Sequence, residues 1–228
     1  MSGAPISLSL IVPAFDEGRR IGASLRHISS YLEARTPLSE IVVVDDGSRD
    51  RTAEIVRELA PGLGVPVCLA RYAPNRGKGA AVKLGFALAR GDRIVFMDAD
   101  LSTPIEMLEP LLCQLDAGSD VVIGSRKMPG AHIAVRQPWL RETLGKVFTW
   151  LVHYSIAPFS DVTCGFKGFR SAAGREVFAR ARVERWSFDA EILMLARRLG
   201  YRIAELPVRW EDRAASKVRL RRDVIGSL

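Results

Sequence analysis

Two aspartates, Asp98 and Asp100, stand two residues apart behind the apolar run at residues 93–97 (RIVFM). In extended chain, side chains at i and i+2 point the same way, so both carboxylates face one side of a loop. Such a pair suits a hard divalent cation, Mg²⁺ or Mn²⁺, that also takes phosphate oxygens. The same spacing also serves loop capping, and the position behind a buried strand is what favours a site.

A second acidic group, Asp45-Asp46-Gly47-Ser48, closes the run at 40–45 (EIVVVD). One of its aspartates is placed to accept hydrogen bonds from a uracil or guanine ring or from a ribose. Ser48 or Asp50 is placed to cap the helix that follows. A third segment, 75–81 (NRGKGAA), opens another helix. It lacks the spacing of a phosphate-binding P-loop and the third glycine of a dinucleotide fingerprint. Its glycines still permit close backbone approach, and Lys78 can meet a phosphate or a base edge.

The elements that must hold these residues alternate. Residues 7–13, 40–45, 65–70, 93–97 and 120–124 read as short strands, rich in β-branched residues. Segments 17–32, 52–59, 79–89 and 104–115 carry apolar residues at helical spacing, with Pro104 expected in a first helical turn capped by Thr103 or Ser102. This alternation predicts an α/β fold: a mostly parallel sheet with helices on both faces. Ligands then bind outside the carboxyl ends of the strands. There lie Pro13, Ala14, Asp16 and Glu17 after the first strand, Asp46 after the second, and Asp98 and Asp100 after the fourth. Residues 138–156 read as an amphipathic helix with one wide apolar face, expected either in the core or interfacial on a bilayer. No linker is visible, so a single domain is expected over 1–228.

Three dispersed cysteines without a CxxC pair argue against zinc clusters and disulfide frameworks and fit a reducing, cytoplasmic setting. The first residues do not read as a signal peptide, and no stretch approaches 18 apolar residues. The net charge of +7 points to an anionic partner. Nucleic acid is disfavoured, because carboxylates at three loop ends would repel a phosphate backbone.

Taken in order, IVPAFDE, VVVDDGSRDRT, NRGKGAA and MDADLS resemble the inverting glycosyltransferases of family 2, with the GT-A fold. The likeness is strongest over about residues 7–130. Segments GSR (124–126), DVTCGFKGF (161–169), WSFDAEIL (186–193) and WEDRAASKVRL (210–220) are similar to the polyprenyl- or dolichyl-phosphate sugar synthases, nearest the dolichyl-phosphate glucosyltransferase branch. The resemblance implies a nucleotide-sugar half at 1–130 and an acceptor- and membrane-facing half at 131–228. It implies that Pro13, Ala14, Asp16, Glu17 and Asp46 hold the nucleoside, with Gly77 and Lys78 nearby. Asp98, Ala99 and Asp100 would bind metal and diphosphate. Arg126 and Arg141 would face the lipid phosphate, and Lys217 the phosphates from a C-terminal loop. Ser102 stands where mannosyl relatives often carry Gln, which leaves the third metal ligand open and weakens GDP-mannose against UDP-glucose.

Asp189 has three readings: base for an acceptor hydroxyl, positioner of the acceptor or of Arg126 or Lys217, or helix cap. A lipid phosphate is already ionised near neutrality, with a second pKa of about 6, and needs no strong base. The implied reaction is in-line displacement at the anomeric carbon of a nucleotide sugar. With a lipid acceptor, the chain is expected at the cytoplasmic face of a membrane, through the 138–156 face and its basic tail or through a small integral membrane partner. Asp100→Ala should lower turnover at least ~100-fold, the scale of removing one key electrostatic group. Near-normal activity in that variant would remove the metal assignment.

Overall fold

A computed structural model describes residues 6–135, 159–185 and 187–211. Strand β1 (Leu8–Ala14) leads through α1 (Ile21–Arg35) to β2 (Ser39–Asp45), then α2 (Thr52–Leu59), β3 (Val67–Arg71), α3 (Lys78–Leu88) and β4 (Arg93–Met97). A 3₁₀ turn at Ile105–Met107 enters α4 (Leu108–Asp116), followed by β5 (Val121–Ser125) and β6 (His132–Val135). Beyond residue 158 come β7 (Phe166–Arg170), α5 (Ser171–Arg180), α6 (Phe188–Arg198), β8 (Ile203–Pro207) and β9 (Arg209–Glu211).

Seven strands form one sheet in the order β3-β2-β1-β4-β7-β5-β8. The β1–β2, β2–β3, β1–β4 and β5–β8 pairs are parallel. Strand β7 runs antiparallel between β4 and β5. The expected mostly parallel α/β sheet is therefore present, with one reversed strand. Both faces are buried, as the continuous apolar strands require. Leu8, Leu10, Val12, Ile41, Val43, Val95 and Met97 pack on one side with α1 and α4 residues. Ile11, Val42, Val44, Ile94 and Phe96 pack on the other with α3, α5 and α6.

The five strands and four helices read from residues 7–124 all exist; 52–59 and 93–97 keep their expected bounds and the others are shifted at their ends. Helix α1 starts at Ile21 rather than Glu17, because 17–20 form a turn in which Arg20 and Ile21 N–H donate to the Glu17 carbonyl. Pro104 stands ahead of its helix in extended conformation (ψ 146°), and no side chain caps the turn that follows. Strands β7, β8 and β9 escape a pattern search because charges interrupt them: Lys167 lies inside β7 and is fully buried. The 138–156 helix falls outside the described residues. Among those described, no helix is long and apolar enough to cross a membrane.

At the amino-terminal edge of the sheet a buried carboxylate is held by an arginine at the surface. Glu40 is buried and accepts from Ser9 Oγ (2.6 Å), Arg90 N (2.8 Å), Arg90 Nε (2.8 Å) and Arg90 Nη2 (2.6 Å). Burial alone would raise its pKa, but the bonds from Arg90 and Ser9 outweigh it and hold the pKa below the ordinary value. A depressed carboxylate stabilises the fold above its unfolded pKa, about 4.3, and that contribution is lost as pH falls through the folded value. Glu40→Gln should cost about 1–3 kcal/mol at pH 7, since it strands buried donors. Its unfolding midpoint should then fall less than that of the native chain between pH 6 and pH 3.5. Equal pH dependence in urea melts would count against this network.

Candidate active site

The loops after β1 and β2 are latched to each other. Asp16 N–H donates to Ser48 Oγ (2.8 Å), and Arg49 N–H donates back to Asp16 Oδ1 (2.7 Å). Glu17 N–H donates to Thr52 Oγ1 (2.8 Å) and Gly18 N–H to Asp50 Oδ2 (2.9 Å). Asp16 accepts a left-handed backbone (φ 53°) to make this contact. The resemblance gave Asp16 to the nucleoside, yet one of its oxygens serves the latch. Asp50 also takes the first amide of α2, from Thr52 (3.0 Å), while Ser48 belongs to the latch. Pro13 and Ala14 end β1 just before it.

Asp46 works in the same way on the next loop. Its Oδ1 accepts from Arg76 N–H (2.7 Å), and its Oδ2 from Asn75 Nδ2 (2.7 Å) and Gly77 N–H (2.9 Å). Burial raises its pKa, against these bonds. The carboxylate expected to read a base is thus a clamp on 75–77. Gly77 needs its glycine identity: φ is +114°, and a Cβ would stand 2.7 Å from the Glu184 carbonyl. The close approach that its sequence suggested for a ligand is an approach to the protein's own backbone. The clamp fixes Lys78, the first residue of α3, beside the acidic pair.

The Asp98–Asp100 loop is held from three directions. Ser24 Oγ on α1 donates to the Ala99 carbonyl (2.6 Å). Asp100 Oδ1 accepts from Ser102 N–H (2.9 Å), and Leu101 adopts φ 55° with its side chain buried. Glu211 N–H on β9 donates to the Ser102 carbonyl (2.9 Å). Lys78 Nζ forms an ion pair with Asp98 Oδ1. Burial and then the Asp98 charge raise the Asp100 pKa. Two carboxylates pressed together in this way are relieved by a cation. Among the described residues no cluster of three or more His, Cys, Asp or Glu forms a ready cage. The donor set therefore fits a Mg²⁺- or Mn²⁺-type ion held by Asp98 and Asp100, completed by phosphate and water.

Because β7 is antiparallel, the segment leading into it, 161–165, reaches the same edge of the sheet as Asp98. Nothing in the amino-acid sequence singles out its residues, yet Asp161, Thr163 and Gly165 all shape the site. Gly165 cradles Asp98: a Cβ would lie 1.9 Å from Oδ2. Asp161, fully buried, binds Arg126 through Nε (2.6 Å), Nη2 (2.9 Å) and the backbone N–H (3.1 Å). Thr163 Oγ1 adds a bond to Nη2 (3.0 Å), and the Trp210 ring lies 5.5 Å from the guanidinium. Against burial, this partner holds the Asp161 pKa below the ordinary range. Lys167, also fully buried, pairs with Asp189 and donates to the Cys164 carbonyl (2.6 Å). The Cys164 thiol is pushed up to about 11 by burial, so it is packing rather than a nucleophile.

Two sequence readings of Asp189 are corrected by these contacts. It does not cap its helix, which has no side-chain cap, and it does not orient Arg126, which Asp161 holds. Burial raises its pKa, against Lys167 and Lys78. The structure brings together Asp98, Asp100, Lys78, Asp189 and the Gly165 loop, with Arg126 seated on Asp161 at the end of β5. Arg141 and Lys217 lie outside the described residues.

A parallel sheet with one reversed strand, carrying paired aspartates where the strand order turns back, is the architecture of the GT-A glycosyltransferases. Solved structures of that class share it. Glucosyl-3-phosphoglycerate synthase from Mycobacterium tuberculosis, in complex with Mn²⁺, UDP and glucosyl-3-phosphoglycerate, superposes with TM-score 0.66 at 22% identity, over 96% of this chain and 75% of that one. The mannosyltransferase PcManGT from Pyrobaculum calidifontis, in complex with GDP-Man and Mn²⁺, gives TM-score 0.66 at 21% identity, over 95% of this chain and 59% of that one. In sequence, the chain is 36% identical over 231 residues to a dolichyl-phosphate beta-glucosyltransferase of Trichomonas vaginalis, covering 96% of this chain and 68% of that protein. The profile of glycosyl transferase family 2 matches residues 9–176, and the chain belongs to that family. It is a glycosyltransferase.

The Gly165 cradle can be tested apart from the fold. In Gly165→Ala the three atoms nearest the added methyl all belong to the Asp98 carboxyl group rather than to backbone, so thermal stability should stay near native. Displacing that carboxylate by about 1 Å should lower turnover roughly 100-fold. Activity within threefold of native would show that Asp98 does not need its observed position.

Proposed function

We propose that this chain transfers a hexose, glucose from UDP-glucose first, to a polyprenyl or dolichyl phosphate with inversion at the anomeric carbon. The observation that carries the donor half is the Asp98–Asp100 pair at the strand-end crevice, facing Lys78. The likeness to the dolichyl-phosphate beta-glucosyltransferase of Trichomonas vaginalis supports glucose and dolichyl phosphate. The two superposed structures, one with UDP and one with GDP-Man, support a nucleotide-sugar donor and a divalent ion.

A bound divalent cation would supply Lewis-acid charge to the diphosphate leaving group. The chain's own residues do the rest. Asp98 and Asp100 would hold that ion, and Lys78, on a backbone held by the Asp46 clamp, brings a positive charge to the departing phosphates, the kind of electrostatic stabilisation that contributes most to catalysis. Pro13, Ala14, Glu17 and the Asp46-clamped loop form the floor on which the nucleoside sits. Arg126, with two faces taken by Asp161 and Thr163, presents a rigid guanidinium for an acceptor phosphate, and Arg141 and Lys217 are assigned to phosphates with it. Acceptor attack needs no proton removed when the nucleophile is an ionised phosphate.

A second reading, a soluble hydroxyl acceptor with Asp189 as base, has one supporting observation: Asp189 lies within electrostatic reach of Lys78 and Asp98. Against it, the Asp189 carboxylate is already committed to a buried lysine. The lipid acceptor places the enzyme on the cytoplasmic face of a membrane, directly or through a small integral membrane protein.

Purified enzyme with Mn²⁺ should be offered labelled UDP-glucose, GDP-mannose and UDP-N-acetylhexosamine, each with detergent-dispersed polyprenyl phosphate or with 3-phosphoglycerate. The expected product has the mass of a hexosyl polyprenyl phosphate, formed fastest from UDP-glucose. Transfer to the soluble acceptor alone would overturn the lipid assignment, and GDP-mannose as best donor would overturn the sugar.

A further inference from the structure

Lys78 presents an unusual arrangement for a site that takes a divalent cation. Its ammonium already sits on Asp98, one of the two carboxylates that would hold the metal. Both side chains are partly open, 27% exposed for Lys78 and 41% for Asp98, so an incoming ion can reach the pair. Asp100 and Asp189 are also within electrostatic reach of the same ammonium. The backbone under Lys78 cannot shift readily, because Asp46 binds the amides of Arg76 and Gly77 and the Glu184 carbonyl accepts from Ala80 (3.0 Å). Only the side chain can move.

The local charge count explains why it should. Asp98, Asp100 and Asp189 carry three negative charges against two positive on Lys78 and Lys167; Arg20, which acts on Asp100, and Arg126, which acts on Asp98, are each matched by a carboxylate of their own, Glu17 and Asp161, so the group is left at −1. Lys167 is fully buried and fixed by Asp189 and the Cys164 carbonyl, so it cannot adjust. A divalent ion entering alone takes the group to +1 and faces Lys78 at close range. A diphosphate arriving with the ion restores negative charge and gives Lys78 a new partner.

Resting on the metal–nucleotide reading above, we propose that Lys78 is a resident counter-ion that holds Asp98 against free divalent metal and couples metal binding to nucleotide binding. The ammonium leaves Asp98 when metal and diphosphate enter together, turning toward the phosphates and Asp189. The coupling is reciprocal: nucleotide tightens metal by the factor that metal tightens nucleotide. For the enzyme, a metal ion without a donor does not occupy the site.

Mn²⁺ binding to the full chain, read as loss of the free-ion electron paramagnetic resonance signal, tests this without turnover. The native protein, Lys78→Gln and Lys78→Arg are titrated with Mn²⁺ alone and with UDP, corrected for Mn²⁺–UDP in buffer. Lys78→Gln should bind Mn²⁺ alone at least ~10-fold more tightly than native protein, within the range of ordinary coupling factors. Its gain from UDP should shrink, and Lys78→Arg should stay near native. Unchanged or weaker Mn²⁺ affinity in Lys78→Gln, with native protein still binding Mn²⁺ in the presence of UDP, overturns the counter-ion role alone. Asp100→Asn serves as the site control. If native protein fails to bind Mn²⁺ even with UDP, or Asp100→Asn leaves binding intact, the metal reading itself fails and the counter-ion role with it. Matching circular dichroism melts for the variants exclude misfolding as the cause.

Discussion

Like charge held at close quarters is the constraint on which this molecule turns. Asp98 and Asp100 share the end of one buried strand, and Asp189 approaches them from α6. Left bare, such a group would protonate or fly apart, since desolvation and mutual repulsion both oppose ionisation. The protein answers with two lysines of different exposure. Lys167 is fully buried inside β7 and locked; Lys78 is partly exposed at the start of a helix and can turn. Lys167 belongs to the architecture, and the role proposed toward the ligand falls to Lys78.

The reversed strand β7 makes that answer possible. A parallel strand in its place would send its preceding loop to the amino-terminal edge, away from the crevice. Running antiparallel, β7 brings Asp161, Thr163 and Gly165 to the carboxyl ends of β4 and β5. The same short segment seats Arg126, opens space for Asp98 and supplies the buried lysine. Site and sheet are therefore not separable here. Backbone strain collects in the same region: the two non-glycine residues with left-handed φ among those described, Asp16 and Leu101, both lie in loops at strand ends that form the crevice.

Much of the polarity of these loops is spent internally. Asp16, Ser48, Asp50 and Thr52 tie two loops together, and Asp46 ties a third. A residue type suited to a ligand is equally suited to an orphan amide, and sequence spacing does not separate the two. Residue identity pointed to the right loops; only the bond partners divide latch from lining.

The amino-acid sequence by itself determined the β-α alternation of residues 7–124, the burial of both sheet faces and the edge at which the acidic residues gather. Those follow from local periodicity and from near-continuous apolar runs in the strands, which any reader of the chain can see. It also determined the Asp98–Asp100 pair, because an i, i+2 relation is local. Tertiary structure decided everything that joins distant segments: the direction of β7, the pairing of Arg126 with Asp161 35 residues away, and that of Lys167 with Asp189 22 residues away. A charge inside an apolar strand reads as a break in the pattern until its partner is known. That partner is fixed by the packing of whole elements, and packing is not written in any window of the sequence.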